Sequence, residues 1–523
     1  MYAQDVEIHN GAEFRIEKKK RVDGFVENND NMLSLVTYSY KLFETADNRT
    51  SLIVLDENLN FYNQFPITLP TSEDGKITFR ETKKFKDQLY LISRQYLRSS
   101  GDLKLYASEL DATTGSLGKH FEIFSYNSKE QGTLDRYDLI MSADSSKMAL
   151  MIEYRTQKDE PVKTGFRVFD STLNVLWEAD IVLPQTDRST SITDYMVDNS
   201  GNIHLVVRIQ LDKADREKNQ TNVRYKYSLF SYFHESQTVK EYDLFLQNNY
   251  LTGLTLMQNK NNELIGSAFY SSDRVTSGIL GFLNFKLDLA TYEIKNSQMN
   301  DFDDAFLKNF LTDRQVEKGQ GVRNFRTRYV FPTSDNGYAF VVEEFDYYVQ
   351  TYTTYNASTR TYDTKTSERW IFGDVVVFYV DAEGKTKEIG ILKKNQYASA
   401  STSGTVGHGR DGYGTYHPAR YWGISAMMKD DKIYIVYNDN TKNTLPNPEK
   451  LYSATNITKC TTMLTVIGRN AEFSSSALFK SRDKTAKYKS AIIPRFNYVF
   501  SPSEQVIVGG SANYLRFMKV KIN

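Results

Sequence analysis

The sequence predicts an all-β fold: a β-propeller of four-stranded blades, eight in number with seven as the alternative, whose last blade is completed by the N-terminal strand. Three observations carry this expectation. The first is a hairpin phrase, residues 165–185 (GFRVFDSTLNVLWEADIVLPQ), in which two β-type runs flank the turn Asp170-Ser171-Thr172-Leu173-Asn174. Val, Ile, Phe and Trp suit a pleated, half-buried surface, and Asp, Ser, Thr and Asn hydrogen-bond their own backbone into turns. The same phrase returns at 51–69, at 104–124 and at 375–392. The second is composition: 40% apolar residues, with 36 Tyr and 31 Phe, favour strands over helices and suffice for a large core. The third is length, since 523 residues built from repeats of about fifty make one large domain, 1–523, instead of several ordinary ones.

From residue 21 on, each unit reads as a β-type run, a polar turn, a strongly apolar run, a variable loop and then the hairpin. The first turns fall at 27–31, 84–87, 143–147, 198–202, 259–263, 333–337, 429–432 and 501–505. The apolar strands that follow are 32–36, 89–92, 148–152, 203–207, 264–269, 338–342, 433–437 and 506–509. Second turns fall at Asp56, Asp111, Asp170, near His234, and at Asp288, Asp381 and Asn470. The chain stops where the eighth would begin, so the last unit has three strands. Residues 12–18 (AEFRIEK) alternate like an outer strand and are expected to complete it, which ties the two ends together and protects the sheet edges. The blades are 21–70, 76–126, 136–185, 191–247, 251–302, 322–396, 419–481 and 491–523.

Blades six and seven are long. The excess lies in loop insertions at 345–369 and 438–459 and in the connection 397–418. Loops between second and third strands share a face with the loops between blades, so all three insertions are expected on one face. One short helix is expected near 304–317, capped by Asp303 and Asp304, with Phe306, Phe310 and Leu311 as an apolar stripe packed on the propeller.

Sixty-five basic residues balance 65 acidic ones, so the chain lacks the charge footprint of a nucleic-acid or anionic-membrane binder. Cys460 is the single cysteine, and no Cys/His cluster has metal spacing. No apolar run approaches the roughly 18 residues that cross a bilayer. That leaves a cytosolic chain or one from a bacterial envelope. Met1-Tyr2-Ala3-Gln4-Asp5 reads as the tail of a secretory signal around an Ala-Gln cleavage point, which favours a periplasmic or secreted protein.

Catalytic motifs are weak. Gly407-His408-Gly409-Arg410-Asp411-Gly412 matches a dinucleotide fingerprint in letters, but it lacks the strand before and helix after that the pyrophosphate needs, and reads as a flexible loop. Thr333 to Phe340 resembles the Asp-box of sialidase-like propellers once only, and reads as turn chemistry. His408 and His417, with Asp411 between them, read as solvated loop histidines. No catalytic, cofactor or metal residue is assigned, and a non-enzyme is expected. The aromatic residues of the insertions are the stronger signal: Tyr347, Tyr348, Tyr352, Tyr355, Tyr362 and Trp370, then Tyr397, Tyr413, Tyr416, Tyr421 and Trp422. Tyr and Trp give large contact area at low entropic cost, so Tyr347, Tyr348, Tyr352, Tyr355, Tyr362, Trp370, Tyr413, Tyr416 and Trp422 are the expected partner-binding residues. The same stretch also reads as a hairpin extension, two Thr/Tyr strands around Asn356 to Thr359.

The phrase Val168 to Trp177, its echo Val54 to Asn60 and the Ala3-Gln4 junction resemble those of large secreted propeller proteins of Bacteroidota-type bacteria. The resemblance implies a cell-envelope protein. One member of that general type is the periplasmic plug of the type IX secretion translocon. Two functions remain open: a non-catalytic scaffold docking a protein partner, such as an outer-membrane complex, through blades six and seven, or a propeller that binds or cleaves glycans.

Overall fold

The computed structural model describes residues 6–523, apart from 18–19, 28–32, 40–49, 73–74, 98, 132–133, 156–159, 187–189, 219–222, 245, 247–248, 259–262, 273–277, 404–416, 446–449, 470–471, 481–490 and 512–513. Eight antiparallel sheets follow one another along the chain. The first runs Lys20–Glu27, Leu33–Ser39, Thr50–Leu55, Phe61–Ile67, and the same four-strand order recurs up to the last sheet. Eight apolar clusters of described residues join these sheets: seven straddle two neighbours, and the largest runs from blade six through seven and eight to blade one. Val168 and Phe166 of the third blade meet Leu205 and Val207 of the fourth, and Val377 of the sixth meets Ile433 and Ile435 of the seventh. The ring closes where Val506 and Phe517 of the last blade pack with Leu35 and Ile53 of the first. The chain is an eight-bladed β-propeller.

Asp-led turns repeat for a physical reason. Asp170 Oδ1 accepts from the N–H of Thr172 (2.8 Å) and Asn174 (3.0 Å), and Asp56 does the same for Asn58 and Asn60. One carboxylate thus satisfies two turn N–H groups. The fourth turn residue adopts positive φ, and at Leu59 (58°) and Leu173 (64°) that residue is a leucine whose side chain is buried. Burial of the leucine offsets the cost of the left-handed conformation, roughly 1–2 kcal/mol. Thr333–Gly337 is the same kind of turn, with Asp335 accepting from Thr333 Oγ1 (2.7 Å). Arg469 of blade seven reaches Asp335 with two nitrogens, at 2.9 and 3.0 Å, and holds its carboxyl well below the usual range.

Two expectations about the elements change. The strand that completes the last blade is mainly Val6–Asn10, paired Val6↔Ile522 to Asn10↔Met518, with a short continuation at Phe14–Arg15. Only this continuation falls in 12–18. At the break Gly11 packs against the hairpin turn of blade one, where a Cβ would lie 2.3 Å from the Leu59 carbonyl oxygen. His9 Nε2 sits 3.0 Å from Asn58 O, and the Ala12 N–H donates to Asn60 Oδ1 at 2.7 Å. The helix expected near 304–317 is two short helices, Asp304–Leu307 and Asp313–Glu317. Thr312 restarts the helix with a capping box to Gln315, which splits the segment. Its apolar side packs as expected, with Phe306 against Phe302, Phe310 and Phe378.

Candidate interaction face

The second and third strands of blade six, Tyr338–Asn356 and Thr361–Val380, run far past their sheet. They stay paired without a register shift from Phe345↔Phe372 to Asn356↔Thr361. Alternating Thr and Tyr favour the pleated pairing, and Asn356 Oδ1 caps the turn by accepting from Ser358 N. A further strand, Gln396–Ser403, adds to the third strand from Phe372↔Gln396 to Lys365↔Ser403. What length alone marked as loops at 345–369 and in the start of 397–418 is therefore a regular three-stranded sheet; the hairpin-extension reading is the one the structure bears out.

The expected contact residues divide. Tyr348 (49% exposed), Tyr352 (42%), Tyr355 (56%) and Tyr362 (73%) stand in solvent on this projection. Register puts Tyr348 across from Arg369 and Tyr352 across from Lys365 on one face, and Tyr355 across from Tyr362 on the other, ring centroids 5.2 Å apart. Tyr347 is half-buried, donates to Glu368 Oε1 at 2.5 Å and leans on Trp370. Trp370 and Trp422 are not contact residues: they are 0% and 3% exposed, in the cluster with Phe345, Phe372 and Tyr421. Both sit at the root, where the projection leaves the blade and must be sealed. His417 is also buried, not solvated; it packs edge-on against Trp370 at 5.0 Å, and its Nδ1 accepts from Ala419 N. Tyr413, Tyr416, His408 and the Gly407–Gly412 stretch lie outside the described residues.

Beneath the projection runs a buried polar network that sequence reasoning missed. Lys394 Nζ donates to Glu343 Oε1 at 2.7 Å, and both side chains have no exposed surface. Arg328 reaches the other carboxylate oxygen at 2.7 Å. Burial works against the Glu343 carboxylate, but the two cations outweigh it and hold its pKa below the ordinary value. Lys394 also donates to Gln396, whose amide donates to Asn438 O of blade seven (2.7 Å) and whose Oε1 accepts from Gly423 N (2.9 Å). Asn438 in turn donates to Tyr421 O and Ile492 O, the latter in blade eight. Three blades are thus pinned together below the insertions. The only sequence signal was the pair Glu343-Glu344, two charges placed within the otherwise apolar run Tyr338 to Phe345.

The blade-seven insertion sits beside this root. Ala454 N donates to Asn395 O and Tyr397 N to Ala454 O, joining it to the connection from blade six. Asn443 clamps Tyr452 by accepting from its N–H and donating to its carbonyl, and Lys442 and Lys450 lie over the Tyr452 ring at 4.8 and 5.5 Å. Leu445 and Leu451 are exposed next to them. Cys460 is buried below; burial pushes its thiol up to about 12, so it stays protonated.

Groups with catalytic lettering elsewhere are locked into structure. Ser231, His204 and Asp198 form a hydrogen-bonded chain (2.8 and 3.2 Å), yet all three are 0% exposed and no substrate can reach them. On the opposite face a hollow of about 420 Å³ is lined by Asp87, Glu109 and Asp111. There the N–H groups of Thr114 and Thr113 hold the Asp111 carboxyl low, the reverse of what a general acid needs. Among the described residues no group of three His, Cys, Asp or Glu could hold a metal ion, and no helix is long and apolar enough to cross a membrane.

No protein-family model matches the chain, and no curated protein matches it. Solved structures are similar in chain trace. Prolyl oligopeptidase B from Galerina marginata aligns at 8% identity and TM-score 0.37, covering 94% of this chain and 54% of that one. Porphyromonas gingivalis dipeptidyl peptidase 4 aligns at 8% and 0.38, covering 93% and 64%. The WD40 domain of SCAP from fission yeast aligns at 8% and 0.30, covering 99% and 95%. The chain thus spans about half the length of the oligopeptidase. Likeness at this level bears on neither activity nor partner.

Proposed function

We propose that the protein is a non-catalytic docking subunit that binds a protein partner through the blade-six projection, with the blade-seven insertion alongside. The observation that carries this is the set of exposed tyrosines, Tyr348, Tyr352, Tyr355 and Tyr362, on a projection that blade closure does not require and that a sealed root holds still. Interfaces concentrate their energy in a few such aromatics, each worth about 2 kcal/mol or more on truncation. A rigid sheet presents them without an ordering cost. A place in a bacterial envelope or secretion assembly, of which the periplasmic plug of the type IX translocon is one form, is the finer version of this reading. It is supported by the hairpin phrase.

Replacing 350–363 by a Gly-Ser turn leaves the buried Thr366, Glu368 and Trp370 in place and tests the proposal directly. The shortened protein is expected to keep its β spectrum and unfolding midpoint while losing the partner that co-purifies with the intact protein from its native cells. Tyr348→Ala and Tyr362→Ala should each weaken that complex by about thirtyfold. A shortened protein that retains the full partner set would move the interface elsewhere. Binding of an oligosaccharide lost with the same tyrosines would favour the glycan reading.

A further inference from the structure

The projection has an open side. Phe345 N donates to Asn324 O, away from the third strand, and the pairing from Phe345 to Asn356 is uninterrupted. N–H and C=O of one residue point the same way in a strand, and the direction alternates along it. Val349, Thr351, Thr353 and Tyr355 therefore turn both backbone groups outward. Every residue from Tyr348 to Tyr355 is exposed, so this edge stands clear of the propeller body.

Natural sheets guard such edges with Lys, Pro or other charges. The outer strands of this propeller follow that rule: Pro66, Lys119, Pro184, Lys240, Lys295, Lys387, Lys480 and Glu7 each stand in one of them. From Tyr347 to Asn356 the open edge of blade six carries no charge and no proline.

We infer that this edge pairs antiparallel with the same edge of a second copy, fusing two three-stranded projections into one continuous sheet. The register follows from the four outward residues: Val349 opposite Tyr355, Thr351 opposite Thr353, and their two-fold mates. Each such pair exchanges two hydrogen bonds. Side chains fall into favourable cross-strand pairs at every step, aromatic on β-branched for Val349 with Tyr355, Thr on Thr, and Tyr352 on its own mate at the two-fold axis. No like charges meet. A second copy is thus self-complementary to this edge in backbone, charge and side-chain size; it takes up Tyr352 and Tyr355 and leaves Tyr348 and Tyr362 for the docking role proposed above.

The test is the oligomeric state of the purified full chain by sedimentation, which needs no other partner and so stands or falls apart from the docking proposal. The intact protein is expected to show a dimer at tens of micromolar. Thr353→Pro removes an outward N–H without touching the internal ladder; it should weaken the dimer about thirtyfold with an unchanged β spectrum. A charge pair checks the register should the proline disturb the strand. V349K/Y355K and V349E/Y355E are each expected to be monomeric, and mixing them should restore a dimer. An intact protein that stays monomeric throughout, or charge variants that fail to pair while the intact protein dimerises, would overturn the inference. So would a monomer whose edge variants lose only a different protein, since the edge would then serve a strand of that protein.

Discussion

Removing residues 6–15 lowers the stability of the propeller by about 5 kcal/mol, read as a shift of the urea midpoint. Val6 and Ile8 lie against the cluster of Val436, Ile507 and Val520, and Phe14 stacks on Phe517 at 5.7 Å and touches Phe61 at 5.6 Å. Three or four such apolar side chains, at about 1.5–3 kcal/mol for full burial and less for these partly buried ones, set the scale. The deletion also exposes the edge of Tyr514–Ile522 and takes away the His9 ring and the Ala12 N–H that bond Asn58 O and Asn60 Oδ1. An unchanged midpoint would mean that the ends carry no load and that the ring is held by apolar contacts between blades alone.

Lys394→Ala is the most damaging single substitution expected. It strips one of two cations from a carboxylate with no exposed surface and breaks the link to Gln396, at a cost of about 3–5 kcal/mol. Glu343 has a folded pKa below its unfolded one, so the stability it contributes is present above the ordinary glutamate range and is lost as pH falls through the folded value. Glu343→Gln should accordingly flatten the acid limb of the stability curve below about pH 4. A Lys394→Ala protein with the parent midpoint would show the network to be dispensable. Because the root carries the projection, this substitution should also weaken partner binding without altering any exposed tyrosine.

The repeat was legible because its signals are local. An apolar run of four or five residues after a polar turn is visible within ten positions of sequence and marks all eight blades, and an Asp that leads its own turn marks the hairpin in five of them. The N-terminal strand falls earlier than expected, since 12–18 alternates as well as Val6–Asn10 does, and the choice between them lies in pairing with Met518 to Ile522, more than five hundred positions away. In the insertions, aromatic content does not tell root from tip: Trp370 and Tyr362 stand in the same strand, one sealed and one in solvent. The Glu343 to Lys394 contact spans fifty-one positions, and no local pattern announces it.

Closure by the two ends has a consequence for the order of events during synthesis. Val6 pairs with Ile522, so a strand made ahead of all eight blades is among the last to find its place. At about 5–20 residues per second, the ribosome takes roughly half a minute or more to deliver its partner. Blades one to seven can form in sequence meanwhile, each on the face of the one before. The eighth cannot be completed, and for that interval Val6–Asn10 is a loose β-strand beside a growing sheet protein, with every opportunity to pair wrongly.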